Sequence, residues 1–339
     1  MNAPLALFRL DATPSLGVGH LARCHVLAEA LKGEGWRTRF AVSAETASSV
    51  GAPRDAIIVP PESMDEPRAL GDAEPKGCDL LVVDHYGRDA AFERACRPWA
   101  RHILVLDDLA DRAHDADALL DPTPGRNPAD YANLVRTDTR LLLGPSHALL
   151  DARFAAARPM ALARRRAGGA AARVLISPGG TDPADVASLA LDALVGLEPA
   201  LVADVALLPS APHLARTRAR VGPRVTLHCP AEDMAALMVE ADVAIGAAGG
   251  SAWERCCLGL PMLLVITAEN QRLNARRLED AGAALVVGEA SHVTVESFRR
   301  EIVELVSDAS RRRRMAEAAA LLCDGEGVRR VLSIIKEGV

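Results

Sequence analysis

The sequence predicts an α/β protein made of two doubly wound domains, and three observations carry that expectation. The chain has 339 residues, more than the roughly 100 to 200 of a single domain. Short apolar runs closed by Asp, Gly or Pro alternate with helix-length segments along almost its whole length, which is the mark of repeated βα units. The runs are apolar nearly throughout, the pattern of strands covered on both faces in a parallel sheet.

In the first half the candidate strands are "LALFRLD", "TRFAVS", "AIIVP", "DLLVVD", "HILVLDD", "ALLDP" and "RLLLG". In the second they are "RVLISPGG", "VADVALL", "VTLHC", "VAIGAAG", "PMLLVIT" and "ALVVG". Between the two series runs "DARFAAARPMALARRRAGGAAAR", with a proline, paired glycines and a charge run but no strand signal, so a linker over 151–172 is expected. The expected domains are therefore 1–150 and 173–339. The last helices are apolar at helical spacing, and the sequence leaves open whether they stay with the second domain or return to the first.

Composition narrows the function. Half of the residues are hydrophobic and only 3% aromatic, so the core is aliphatic. A net charge of −6 leaves no electrostatic footprint for nucleic acid. The arginine runs "ARRRAGG" and "SRRRRMAE" read as a linker and a solvated helix face. No apolar stretch approaches the roughly 20 residues of a membrane span and no leader pattern opens the chain. Seven cysteines without a CxxC pair suit a reducing compartment, so a cytoplasmic location is expected. Cys256 and Cys257 adjoin on a helix and face apart, and Asp107 and Asp108 lack further ligands, so no metal site is assigned.

In open parallel sheets functional groups gather at the carboxyl ends of strands. "RLDATPSLGVGHLARCHVLAEAL" has that form: a strand to Asp11, a turn through Gly17 and Gly19, then a helix with His20 in its first turn. There the helix dipole disfavours imidazolium and leaves a ring able to accept a proton; a plain helix-start role for His20 is the alternative. "LISPGGTDPADV" repeats the logic, with Gly179 and Gly180 in the turn and Asp182-Pro183 as an N-cap followed by proline at the first helical position. In "AIGAAGGSAWERCCLG", Gly249, Gly250 and Ser251 offer amides and a hydroxyl to a phosphate, with Glu254 one turn on. Glu254 could equally serve only the helix dipole. Asp84, His85 and Tyr86 end one strand, and Glu269, Asn270 and Gln271 sit at a strand-to-helix junction. Neither GxxxxGK[ST] nor a regular GxGxxG is present, which lowers the weight of ATP hydrolysis and dinucleotide chemistry.

Taken together, "RLDATPSLGVGHLARCHVLAEAL", "DHYG", "LGPSHALLDARF", "ISPGGTDP", "GAAGGSAWERCCLGLP" and "AENQ" resemble the UDP-2,4-diacetamido-2,4,6-trideoxy-β-L-altropyranose hydrolases of the pseudaminic acid pathway. That family is related to spore-coat polysaccharide proteins and, more distantly, to the lipid II glycosyltransferase. The matches run in order from residue 9 to about residue 288. The resemblance implies a GT-B fold, two Rossmann-like domains facing a cleft. It implies His20 as the base that activates water at the anomeric carbon, with inversion and departure of UDP. Asp11, Gly17, Gly19, Tyr86, Asn270 and Gln271 would meet the sugar. Gly179, Gly180, Gly249, Gly250 and Ser251 would meet the diphosphate and Glu254 the ribose.

A UDP-sugar is then the expected partner, and neither cofactor nor metal is required. Thr13 and Thr181 stand where the family more often has serine, and Ala252 where a hydroxyl is common; the loss of that hydroxyl leaves the nucleotide sugar open. Two other readings share parts of the pattern: a UDP-sugar-dependent GT-B glycosyltransferase, and a non-catalytic nucleotide-sugar binding protein that would have no need of His20.

Overall fold

Each apolar run named above contains a strand in the computed structural model, which describes residues 3–13, 18–49, 53, 55–59, 65–197 and 200–338. The first series gives β1 (Leu5–Leu10), β2 (Arg37–Val42), β3 (Ile57–Ile58), β4 (Cys78–Asp84), β5 (Ala100–Leu106), β6 (Ala118–Asp121) and β7 (Arg140–Leu143). They form one sheet in the order β3-β2-β1-β4-β5-β6-β7, every pair parallel. The second gives β8 (Arg173–Ser177), β9 (Val202–Ala206), β10 (Val225–His228), β11 (Val243–Ala247), β12 (Met262–Ile266) and β13 (Leu285–Glu289). Their sheet runs β10-β9-β8-β11-β12-β13, again wholly parallel.

Helices cover these sheets: α1 (Gly19–Gly33), α2 (Ala44–Ser49), α3 (Glu66–Ala73) and α4 (Ala90–Cys96) in the first series. After them come α5 (Ala152–Ala167), α6 (Val186–Leu194), α7 (Leu214–Arg218), α8 (Met234–Glu240), α9 (Ser251–Cys257), α10 (Arg272–Asp280), α11 (Val295–Ser307), α12 (Ala309–Leu322) and α13 (Gly327–Lys336). Burial on both faces explains the unbroken apolar runs. Ala6, Phe8 and Leu10 of β1 join a cluster with Leu27, Ala28 and Leu31 of α1, while Leu5 and Leu7 face a second cluster with Leu81 and Phe92. That split follows the two-residue period of a strand.

The chain divides into two compact units, Met1–Leu149 with Glu326–Val339, and Leu150–Gly325. Two expectations about the boundaries are corrected. Residues 151–172 are mostly the helix α5, capped by the Asp151 side chain on the Arg153 N–H at 2.9 Å. Its buried stripe is thin, Phe154 and Ala161, so helical patterning was weak. The helix is held to the second unit largely by arginines, with Arg158 donating to the carbonyls of Cys257, Ala320 and Cys323. The second correction concerns α13, which returns to the first unit and buries Val331 and Ile335 in the cluster around β1. Gly327 begins it because a Cβ there would lie 2.2 Å from the Ala148 carbonyl oxygen.

Both sheets reverse their winding once, between β1 and β4 and between β8 and β11. Crevices outside the carboxyl ends of strands at such points are the usual ligand sites of doubly wound sheets.

Candidate functional site

At the first reversal Asp11 directly follows β1 and Asp84 ends β4, and α1 starts at Gly19. Gly17 lies outside the described residues. His20 is the second residue of α1, and the stripe Cys24, Leu27, Ala28 and Leu31 is fully buried behind it. That packing fixes the helix so that His20 Nδ1 lies 2.5 Å from Asp84 Oδ1. The buried carboxylate also accepts from Arg23 through Nε at 2.6 Å and Nη2 at 2.5 Å, and from the Cys24 thiol at 3.4 Å. Burial alone would raise the Asp84 pKa, but the Arg23 charge and the His20 contact outweigh it and hold the group well below the usual carboxylate range. Ionised Asp84 accepts a proton-bearing Nδ1, which assigns the His20 tautomer with a free lone pair on Nε2. This is the arrangement of a base oriented by a carboxylate.

Around this pair stand Tyr86 and Asp108. The Tyr86 ring meets His20 edge-on, with centroids 4.9 Å apart and planes at 90°. Its hydroxyl donates to Asp108 Oδ2 at 3.2 Å, an oxygen that Arg23 Nη1 also reaches at 3.4 Å. Burial pushes the Asp108 carboxyl up. Arg23, Asp84 and Asp108 were not assigned roles from sequence. The one signal for Asp84 and Asp108 was position at the ends of apolar runs, Arg23 lay inside α1, and partners 61 to 64 residues apart carry no local pattern.

Asp11 and His85 form a neighbouring pair of a different kind. Asp11 Oδ1 accepts from the Ser43 N–H at 2.8 Å and its Oδ2 from His85 Nε2 at 3.0 Å, with Arg9 beside it. His85 Nδ1 accepts from the Gly87 N–H at 2.9 Å. Both ring nitrogens of His85 are thereby committed, and both oxygens of Asp11 are taken by protein donors. The pair ties the ends of β1, β2 and β4 together.

At the second reversal β8 ends at Ser177 opposite Gly246 of β11. Gly179 has φ +116°, a conformation open mainly to glycine, and Gly180 accepts from the Leu208 N–H at 2.8 Å. The Asp182-Pro183 expectation is corrected: α6 begins later, at Val186. Asp182 caps it from a distance, accepting from the N–H groups of Val186 and Ala187 at 3.0 and 2.9 Å. Left-handed backbone at Asp182 and Asp185 inserts the extra turn, so Pro183 is not in the helix.

Gly249 and Gly250 lead into α9 with Ser251 as its first residue. Beneath the turn Arg255 is fully buried and donates to the Ala247 carbonyl at 2.5 Å and to Ser251 Oγ at 3.1 Å. Glu254 is half-buried, and burial pushes its carboxyl up to about 7. Its carboxyl accepts no hydrogen bond from another described residue. Gln271 Oε1 accepts from Thr267 N–H and Oγ1, each at 3.1 Å, and the other end of its amide lies 3.8 Å from where a Cβ on Gly249 would sit. Asn270 is in the short 3₁₀ turn Glu269–Gln271. Next to it opens a cavity of about 450 Å³ lined by Thr267, Glu269, Arg272 and Glu289. No group of three or more potential metal ligands occurs among the described residues.

Residues 219–331, which include the Gly249–Glu254 turn, match the glycosyltransferase family 28 C-terminal domain. The spore coat polysaccharide biosynthesis protein SpsG of Bacillus subtilis is 27% identical over 327 residues, 95% of this chain and 94% of that one. A UDP-N-acetylglucosamine–N-acetylmuramyl-(pentapeptide) pyrophosphoryl-undecaprenol N-acetylglucosamine transferase of Sorangium cellulosum is 34% identical over 125 residues, 35% of this chain and 29% of that one. Among solved structures, Acinetobacter baumannii MurG superposes with a TM-score of 0.63 at 16% identity, covering 98% of this chain and all of that one. The UDP complex of S. aureus MnaA gives 0.64 at 14% identity, covering 99% and 96%. The fold is that of these solved structures, two Rossmann-like domains of the GT-B type. No helix among the described residues is long and apolar enough to cross a membrane.

Proposed function

We propose that the protein cleaves a UDP-linked sugar at its anomeric carbon by transferring the glycosyl group to an acceptor hydroxyl, with His20 as the base. The observation that carries this reading is the 2.5 Å contact between His20 Nδ1 and Asp84, which leaves Nε2 to receive a proton. As the acceptor oxygen bonds to the anomeric carbon its proton passes to Nε2, and the bond from that carbon to the diphosphate oxygen breaks with its electron pair leaving on UDP. Asp84 stabilises the imidazolium that forms. Gly179, Gly180, Gly249, Gly250 and Ser251 would meet the diphosphate with amides and a hydroxyl, and Glu254 the ribose hydroxyls. Gly19, Tyr86, Asn270 and Gln271 would meet the sugar. The transferase named above for Sorangium cellulosum, and the family description over 219–331, favour an acceptor hydroxyl.

A second reading has water as the acceptor, which makes the protein a hydrolase of a UDP-linked 2,4-diacetamido-2,4,6-trideoxy sugar. Its support is the span of the likeness: the match to SpsG runs through both domains, the His20 turn included, whereas the transferase match covers about a third of the chain. Incubating the pure protein with a panel of UDP-sugars and following free UDP, with and without candidate acceptors, separates the two. UDP release that requires an acceptor supports transfer, and equal release without one supports hydrolysis. Tight UDP-sugar binding with no release under either condition contradicts both and leaves a binding protein.

A further inference from the structure

At the amino-terminal edge of the second sheet, opposite the strand ends that carry Gly179 and Gly249, the end of α5 and the start of α12 enclose a cavity of about 150 Å³. One water needs only roughly 10–15 Å³ of such space. Arg164, Arg165, Arg312 and Arg313 line it, with Ser310 and a single carboxylate, Asp242.

The charges do not balance. Asp242 is engaged by Arg164 and by the backbone N–H groups of Ala172 and Arg173. Arg165 donates only to neutral carbonyls, Ala241 at 2.5 Å, Met238 at 2.7 Å and Val239 at 3.5 Å, and its Nε is buried without a partner. Arg312, buried, likewise donates to the carbonyls of Leu305 at 3.0 Å and Gly169 at 2.7 Å and to that of Val306. Arg313 is exposed, its side chain makes no hydrogen bond or ion pair with another described residue, and its Nη2 lies over Gly168. Three guanidinium charges therefore share a small space with no carboxylate of their own, in a chain whose net charge is −6. Burial and the neighbouring Arg164 lower the Arg165 pKa to about 10. Carbonyls satisfy the geometry of these donors but not their charge, and a planar guanidinium matches an oxyanion in a bidentate way.

We propose that this cavity is a binding site for a phosphoryl dianion, distinct from the nucleotide-binding turn. The same chemistry is offered by a free phosphate and by the headgroup of a phosphatidic acid. Calorimetry of the full chain with inorganic phosphate, at ionic strength matched with chloride and with UDP saturating, tests the site. One phosphate per chain is expected, with affinity about tenfold weaker in Arg313→Gln and weaker still in Arg313→Glu. Arg313 is exposed, so both variants should melt with the parent; Arg313→Gln serves if the reversed charge disturbs folding. Co-sedimentation with phosphatidylcholine vesicles carrying phosphatidic acid, reversed by free phosphate, would identify the lipid as a source, and its absence beside soluble binding the free ion. Phosphate binding that UDP abolishes, binding unchanged in a folded Arg313→Gln, or no binding of either probe overturns the proposal.

Discussion

Replacing Asp84 by Asn keeps the side-chain volume and removes one charge from the centre of the site. Asp84 is fully buried and accepts from His20, from two nitrogens of Arg23 and from Cys24. Breaking a buried ion pair costs about 3–5 kcal/mol. Arg23 is 21% exposed and still reaches Asp108 at 3.4 Å, so the low end, about 3 kcal/mol, applies. For a domain of this size that is a fall in Tm of about 6–12 °C. The folded pKa of Asp84 lies below its ordinary 3.8. Its stabilisation is therefore complete above that pH and is lost as pH falls further, so the gap between parent and variant should narrow on acidification.

The catalytic effect is larger. An asparagine amide can donate to Nδ1 and turn the ring so that Nε2 carries the proton, a tautomer that cannot act as the base, and kcat should fall by about 10³–10⁴-fold. UDP release at 20 °C, below either transition, reads this, with KM little changed. His20→Asn alone should lower kcat by about 10²-fold or more with UDP affinity kept. The double variant should be no slower than the worse single one, because the two residues act as a unit. A folded Asp84→Asn protein within threefold of parental turnover, or fully additive losses, would refute the reasoning.

Glu254→Gln should separate two consequences of a carboxyl lifted to about 7 from its ordinary 4.5. If the ionised form accepts from the ribose, parental UDP affinity rises as pH increases through 7, by roughly three- to tenfold, and the variant is flat; identical pH profiles by calorimetry would contradict that role. A raised folded pKa means that the fold loses stability as pH climbs from about 4.5 to 7, so the variant should melt higher than the parent at pH 8 and with it at pH 4. Gly246→Ala would place a Cβ 1.7 Å from Arg255 Nη1 and 2.7 Å from the Ser177 carbonyl oxygen. It should cost about 1–3 kcal/mol, and a melting temperature within a degree of the parent would show that the guanidinium yields freely.

Much of the fold was legible because parallel strands bury both faces and so announce themselves as unbroken apolar runs. The stripe of α1 and the turns at Gly19, Gly179 and Gly249 were equally local signals. What escaped depends on distant partners. The helix α5 carries little apolar surface and docks through guanidinium-to-carbonyl bonds that no periodicity displays. Helix α13 has an ordinary amphipathic face, and nothing in it states which sheet it covers. His20 stood out beside its glycines, whereas Asp84 gained meaning only when folding carried it 2.5 Å from that ring. Asp11 looked like a ligand group, yet folding spends both its oxygens on Ser43, Arg9 and His85.

The central claim is that a nucleophile activated by His20 attacks the anomeric carbon, and the fate of the bridging oxygen tests it most directly. A UDP-sugar substrate carrying heavy oxygen between the anomeric carbon and the β-phosphorus should be turned over by the pure protein and the UDP product examined by mass spectrometry. Attack at carbon, by an acceptor hydroxyl or by water, leaves the label wholly in UDP, and His20→Asn slows its appearance by about 10²-fold or more. Label recovered in the sugar, which requires attack at phosphorus, or an undiminished rate in the folded variant, would contradict the account.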